Sequence, residues 1–187
     1  MKNLRQEEQL TIVNDWLKEI VVGLDLCPFA KKPFENDQIR LKLSPHITAN
    51  EWLQDFVSEL DLLNKTPKEK LSTTLLILPN AYEEFRDFHD FVGSLEEFLE
   101  ENQLDHLFQL VSFHPTFIFD GLDAQERGHF VNRSPFPIIH ILRSEEIALA
   151  IKTIQDGENI SLKNDAKLNH MSQSSFFKKF DYLTKVT

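Results

Sequence analysis

From residue 10 onward the apolar positions Leu10, Val13, Leu17, Ile20 and Leu24 fall three and four apart, with Trp16 beside them. That spacing draws one apolar stripe along a long helix, which ends between Gly23 and Pro28. The period then changes. In "IRLKL", Ile39, Leu41 and Leu43 alternate with Arg40 and Lys42, the two-residue period of a half-exposed strand. Lysine in such a strand discourages pairing with other chains, which places it at a sheet edge.

Thr48 followed by Glu51 is a capping-box pattern, and the helix it opens carries Trp52, Leu53, Phe56, Val57, Leu60 and Leu63 inward. "TTLLILP" is a nearly unbroken apolar run, short enough for a strand covered on both faces. Asn80 with Glu83 repeats the capping pattern before a stripe of Phe85, Phe88, Val92, Leu95 and Leu99. "FQLVSF" and "PIIHIL" read as two further strands. Ser144 then caps a helix with Ile147, Ala148, Ile151 and Ile154, interrupted at Gly157. Leu162, Leu168, Met171, Phe176, Phe177, Phe180 and Leu183 describe a helical tail, residues 158–187, packing back on the body.

The order predicts an α/β fold, with α+β as the alternative, in a single domain spanning 1–187. Its sheet is small and mixed, of about four strands. Two strand–helix–strand units favour parallel, right-handed crossovers, and the last two strands form a wide antiparallel hairpin. "TTLLILP" and "PIIHIL" leave no polar side, so helices cover both faces.

Composition narrows the partners. Net charge is −10, an acidic surface that repels phosphodiester backbones, so nucleic acid is not an expected partner. Lys31-Lys32 and Lys178-Lys179 are isolated basic pairs. No apolar stretch nears the ~20 residues of a membrane span. One cysteine, Cys27, forms no internal disulfide, and the first helix is too charged for a signal peptide, which points to the cytoplasm. Sixteen phenylalanines against two tyrosines imply a core of rings that need no hydrogen-bond partner.

Candidate chemistry gathers in the long segment from His114 to Pro135, well above the ~12–15 residues usual for a structureless loop. By alternation, Phe108, Leu110, Ser112 and His114 share one face, so His114 stands at a strand's C-terminal mouth, where α/β sheets bind ligands. It is the candidate for proton transfer. Arg133 and Arg143 offer the paired donors of an anion clamp, or else pair with surface acids. Asn132 and Ser134 orient a substrate, or simply cap a turn. His140 lies mid-strand among aliphatics, where a core histidine hydrogen-bonded to a neighbour is the better reading, with substrate contact as the alternative. Cys27 follows a helix C-terminus, the wrong dipole for a thiolate, and reads first as a buried cysteine lining a pocket. No metal-ligand spacing, glycine-rich phosphate loop or nucleophile elbow is present, so neither metal nor cofactor is implied.

Four blocks, "VVGLDLCPFA", "TTLLILP", "SFHPTFIF" and "NRSPFPIIHILR", resemble in order the signature blocks of a bacterial domain of unknown function, family 1415. The resemblance runs from Trp16 to about Ala150 and implies no activity. It does imply that Cys27-Pro28, His114-Pro115 and Asn132 to Pro135 are the family's polar hallmarks.

The expectation is a cytoplasmic hydrolase or group transferase acting on a small anionic metabolite. His114 would be the acid or base, Arg133 and Arg143 the clamp, with Asn132, Ser134 and His140 as further contacts and Cys27 as a possible reactive group. Two alternatives stand beside it. One is a non-catalytic anion-binding or regulatory module. The other is an interaction protein in which the Asn-Arg-Ser-Pro block is architectural. Geometry separates them: the first two need His114 and Arg133 open to one cavity, while burial and saturation of both would favour architecture.

Overall fold

The computed structural model describes residues 4–153 and 160–186. Helix α1 (Gln6–Trp16) continues as a π-helical stretch, Leu17–Val22, before the short α2 (Lys31–Glu35). Then follow β1 (Ile39–Leu43), α3 (Ala49–Lys65), β2 (Thr73–Ile77), α4 (Phe85–Glu101) and β3 (Phe108–Phe113). A long loop with a 3-10 turn at Arg127–Val131 leads to β4 (Ile138–Arg143) and α5 (Ser144–Thr153). The chain closes with α6 (Ile160–His170), α7 (Gln173–Lys179) and α8 (Tyr182–Val186). Ile154 and Gly157, expected to extend and break the fifth helix, lie outside the described residues.

The strands form one mixed sheet in the order β1-β2-β4-β3. β1 and β2 are parallel, the outcome of a helical crossover through α3. The crossover through α4 also returns the chain in the same direction, but it sets β3 one position too far for pairing with β2. β4 fills that gap, antiparallel to both neighbours. The chain is thus a single α/β domain with helices on both faces.

Alternation along β2 explains the two faces. Leu75 and Ile77 turn to one core with Ile138 of β4, against Val13, Trp16 and Ile20 of the first helix. Leu76 turns to the other, with Ile139 and Ile141, against Phe56, Leu60 and Leu63 of α3 and Phe88 and Leu95 of α4. All five β2 residues are buried, and none of β1 is, because β1 has a neighbour on one side only.

Several local patterns resolve differently from the sequence reading. Thr48 caps its helix, with the Glu51 N–H donating to Thr48 Oγ1 at 3.4 Å, and the Thr48 hydroxyl donates in turn to the Glu51 carboxylate at 2.6 Å. The Asn80–Glu83 box does not form: α4 starts at Phe85, and Asn80 Nδ2 donates to the Pro45 carbonyl at 3.2 Å. Ser144 is the first residue of its helix, and its hydroxyl reaches the Asp105 carbonyl at 3.4 Å. Val57 is 40% exposed, while Glu59 of the same helix is buried. Glu59 is drawn in by Arg40 Nε at 2.8 Å and Thr74 Oγ1 at 3.2 Å, both on the sheet face it covers. A buried carboxylate needs such partners. In the π stretch, Gly23 N–H reaches Lys18 O (2.9 Å), a wider turn that brings Val21 into the core.

The tail is three helices rather than one. Leu168, Phe176 and Phe180 are buried, while Leu162 and Phe177 stay exposed. Those three buried side chains are worth roughly 5–9 kcal/mol together, enough to make the tail part of the core. Arg127 Nη1 holds it further, donating to the carbonyls of Leu168 (3.0 Å) and Met171 (2.7 Å) at the end of α6. Among the described residues no helix is long and apolar enough to cross a membrane.

Candidate functional site

The two ends of the long loop meet. Pro115, Pro135 and Pro137 lack the N–H that would continue a ladder, so regular pairing stops where they stand. In its place His114 N–H donates to Asn132 O (3.1 Å), and Ser134 N–H donates to His114 O (3.4 Å). Asn132 Nδ2 adds a bond to the Ser112 carbonyl at 3.2 Å. Ser134, fully buried, donates its hydroxyl to the Phe136 carbonyl. The Asn-Arg-Ser-Pro block is therefore brought to the C-terminal end of β3, beside His114.

His114 is 1% exposed. Thr116 N–H donates to its Nδ1 at 3.2 Å, which leaves the proton on Nε2, 3.0 Å from the Tyr82 carbonyl. The rings of Phe85 and Phe88 pack on it at 5.7 and 5.5 Å. Burial lowers its pKa below the usual histidine value, against the opposing pull of the Tyr82 carbonyl and the Glu84 charge. Both nitrogens are thus occupied within the protein. His129 repeats the arrangement inside the loop, with Nδ1 accepting from Phe119 N–H (3.0 Å) and Nε2 against Asp123 O (2.7 Å). His114 thus fixes the start of the loop and His129 ties its later part back to Phe119 and Asp123.

Arg133 is placed differently. Its guanidinium lies 4.1 Å over the Phe130 ring, and Nε donates to the Phe117 carbonyl at 3.3 Å. Its carbonyl accepts two bonds, from Trp16 Nε1 (3.1 Å) and the Tyr182 hydroxyl (2.9 Å). Among the described residues neither Nη atom has a hydrogen-bond partner and no carboxylate pairs with the group. Burial lowers its pKa from the ordinary arginine value, with Tyr182 opposing. The side chain is half-buried, so its outer edge still meets solvent.

Arg143 and His140 lie elsewhere. Arg143 Nη2 donates to the carbonyls of Leu63 (2.6 Å), Thr66 (2.7 Å) and Leu71 (3.1 Å), closing the C-terminal end of α3. His140 sits mid-strand between Leu75 and Val111. The residue keeps some surface, but its Nε2 is buried without a hydrogen-bond partner, and burial pushes its pKa down to about 4. Among the described residues no neighbour bonds that nitrogen, contrary to the expectation.

Cys27 follows the turn after the π stretch and precedes the turn into α2, so it lies between two helical segments. Burial pushes its thiol pKa up, although the N–H groups of Phe29 and Ala30 point at the sulfur. A protonated thiol is the resting form.

Sequence reasoning missed the residues that set this site: the Tyr82 carbonyl, the Phe85 and Phe88 rings, and Trp16 and Tyr182 against the Arg133 carbonyl. No local pattern marks them, because each acts through a carbonyl or ring brought from a distant segment. Among the described residues no group of three or more His, Cys, Asp or Glu side chains is placed to hold a metal ion.

No curated protein and no solved structure matches the chain. A family model does match, over residues 8–178, and so takes in α6 and nearly all of α7 as well as the four signature blocks. The chain belongs to the family described as "Protein of unknown function (DUF1415)".

Proposed function

We propose that this protein binds a small anion at Arg133, as a ligand-binding or regulatory module. One observation carries the reading. In a chain of net charge −10, the Arg133 guanidinium pairs with no carboxylate among the described residues. It is held 4.1 Å over the Phe130 ring and stays partly exposed. A fixed fork of donors without an internal counter-charge suits a carboxylate or phosphate group.

Binding is favoured over acid–base catalysis because His114 would have to break the Tyr82 or Thr116 contact before moving a proton. Asn132, Ser134 and Arg143 support the surrounding backbone instead of facing a ligand. Such a module is assigned to the bacterial cytoplasm on the lone cysteine, and nucleic acid is disfavoured by the acidic charge.

A thermal-shift series with inorganic phosphate, pyrophosphate and di- and tricarboxylates tests this. Wild type should be stabilised by at least one of them and Arg133→Gln by none. An anion that stabilises both proteins equally places the site elsewhere, and no response from the whole series refutes the reading. Turnover of the bound anion, lost in His114→Ala with binding kept, would restore the enzymatic alternative.

A further inference from the structure

We infer that the open edge of β1, with the groove beside it, takes up an extended peptide segment of a partner protein as a fifth strand. The peptide carries one apolar anchor flanked by an acidic residue. The inference is independent of the anion site.

Three features make this edge receptive. The first is its backbone. Gln38 O accepts from Ser72 N–H, and Ser44 N–H donates to Ile77 O, so the even-numbered residues of this segment bond toward β2. The N–H and C=O groups of Ile39, Leu41 and Leu43 therefore point away from the sheet, since bonding direction alternates along a strand.

The second feature is the absence of a guard. Edge strands usually carry free lysine or other charges to repel incoming chains. Arg40 and Lys42 stand in those positions, but Arg40 Nε is bound to Glu59 at 2.8 Å and Lys42 Nζ lies 3.5 Å from Asp55. Both charges are drawn to the α3 face and neutralised there. The opposite face of the strand, carrying Ile39 and Leu41, is left apolar and partly exposed.

The third feature is a groove of about 330 Å³ beside Ile39 and Leu41, lined by Leu17 and Phe34 and, on its polar side, by Asn14, Lys18 and Asp37. It is large enough for one apolar side chain of a bound strand, and alternate side chains of such a strand fall on this face. Lys18 and Asp37 stand at its rim. Lys18 is exposed and has no ion-pair partner among the described residues, so it offers a counter-charge to an acidic residue beside the anchor. A second copy of this chain fits less well, because β1 (Ile39–Leu43) carries no acidic residue to meet Lys18.

The probe is a labelled heptapeptide of threonine with leucine at its centre and glutamate two positions to either side, so that all three fall on one face. Fluorescence polarisation measures its binding to the full chain, and amide hydrogen exchange locates it. In dilute free protein, the Ile39, Leu41 and Leu43 amides should exchange quickly while Arg40 and Lys42 are protected. Saturating peptide should protect the odd-numbered set at least tenfold. Lys18→Glu should weaken binding about fivefold, the size of one or two rim ion pairs, and a peptide with lysine in place of both glutamates should recover the loss on that variant. The inference is overturned if the odd-numbered amides are already protected in dilute protein, or if the peptide fails to bind. It is also overturned if binding leaves those amides unchanged. Protection that rises with protein concentration alone assigns the edge to a second copy and equally overturns the partner peptide.

Discussion

Substituting His140 by leucine should remove much of this protein's sensitivity to mild acid. In the fold the imidazole is held to a pKa of about 4 by burial, against an ordinary value of 6.5 in the unfolded chain. The unfolded chain therefore takes up the proton first. Stability from this residue is intact above about pH 6.5 and drains away as pH falls toward about 4. Integrated over that window the loss approaches ~3 kcal/mol, and at pH 5 it is already about 2 kcal/mol.

Leucine carries no proton and suits the neighbours Leu75, Val111 and Ile138. It also removes the unpartnered Nε2, so at pH 8 the variant should match wild type or exceed it by up to ~1 kcal/mol. Urea unfolding of both proteins at pH 8, 6.5 and 5 measures the effect. The difference between them cancels the other titrating groups, including His114, whose pKa is lowered as well. Wild type should lose about 2 kcal/mol more than His140→Leu between pH 8 and 5, or roughly 4–8 °C in Tm for a chain of this size. Equal losses would mean that His140 is hydrated or partnered in solution, and the account of its burial would be wrong.

Three further outcomes follow from the same geometry. His114→Ala should cost about 2–4 kcal/mol by leaving the Tyr82 carbonyl and the Thr116 N–H without partners; denaturant midpoints check it, and an unperturbed midpoint would return His114 to the list of free functional groups. Arg143→Met should cost roughly 1–3 kcal/mol, since the Leu63 and Thr66 carbonyls at the end of α3 and the Leu71 carbonyl before β2 lose their donor; a change near zero would refute the cap. Gly93→Ala should stabilise by ~0.5–1 kcal/mol, because Gly93 lies inside α4 and a Cβ there meets nothing within 4 Å. Thermal melts would show it, and a lower Tm would contradict the open space at that position.

The anion reading and the strand-edge reading use opposite ends of one chain logic. At Arg133 no carboxylate among the described residues pairs with the charge, which so stays available. At β1 the charges that would protect the edge have found internal partners and so no longer guard it. In both places what matters is where the counter-charge lies, a property of three-dimensional packing.

The sequence by itself determined the element types, the edge position of β1, the two-sided burial of β2 and the antiparallel pairing of the last two strands. These follow from periods of two and near four along the chain, which report which side faces water. It also marked His114 to Pro135 as the segment that gathers the polar candidates, because that stretch is longer than structureless loops usually are. Tertiary structure alone decided which polar groups remain free. His114 looked open at a strand mouth, but Tyr82 and Thr116 occupy both of its nitrogens. Arg143 looked like a clamp and became a helix cap, while Arg133, one residue among four in a polar block, kept its Nη donors. The insertion of β4 between β2 and β3 was equally beyond local pattern. Hydrogen-bond saturation depends on carbonyls and rings contributed from distant segments, and periodicity carries no record of which segments those will be.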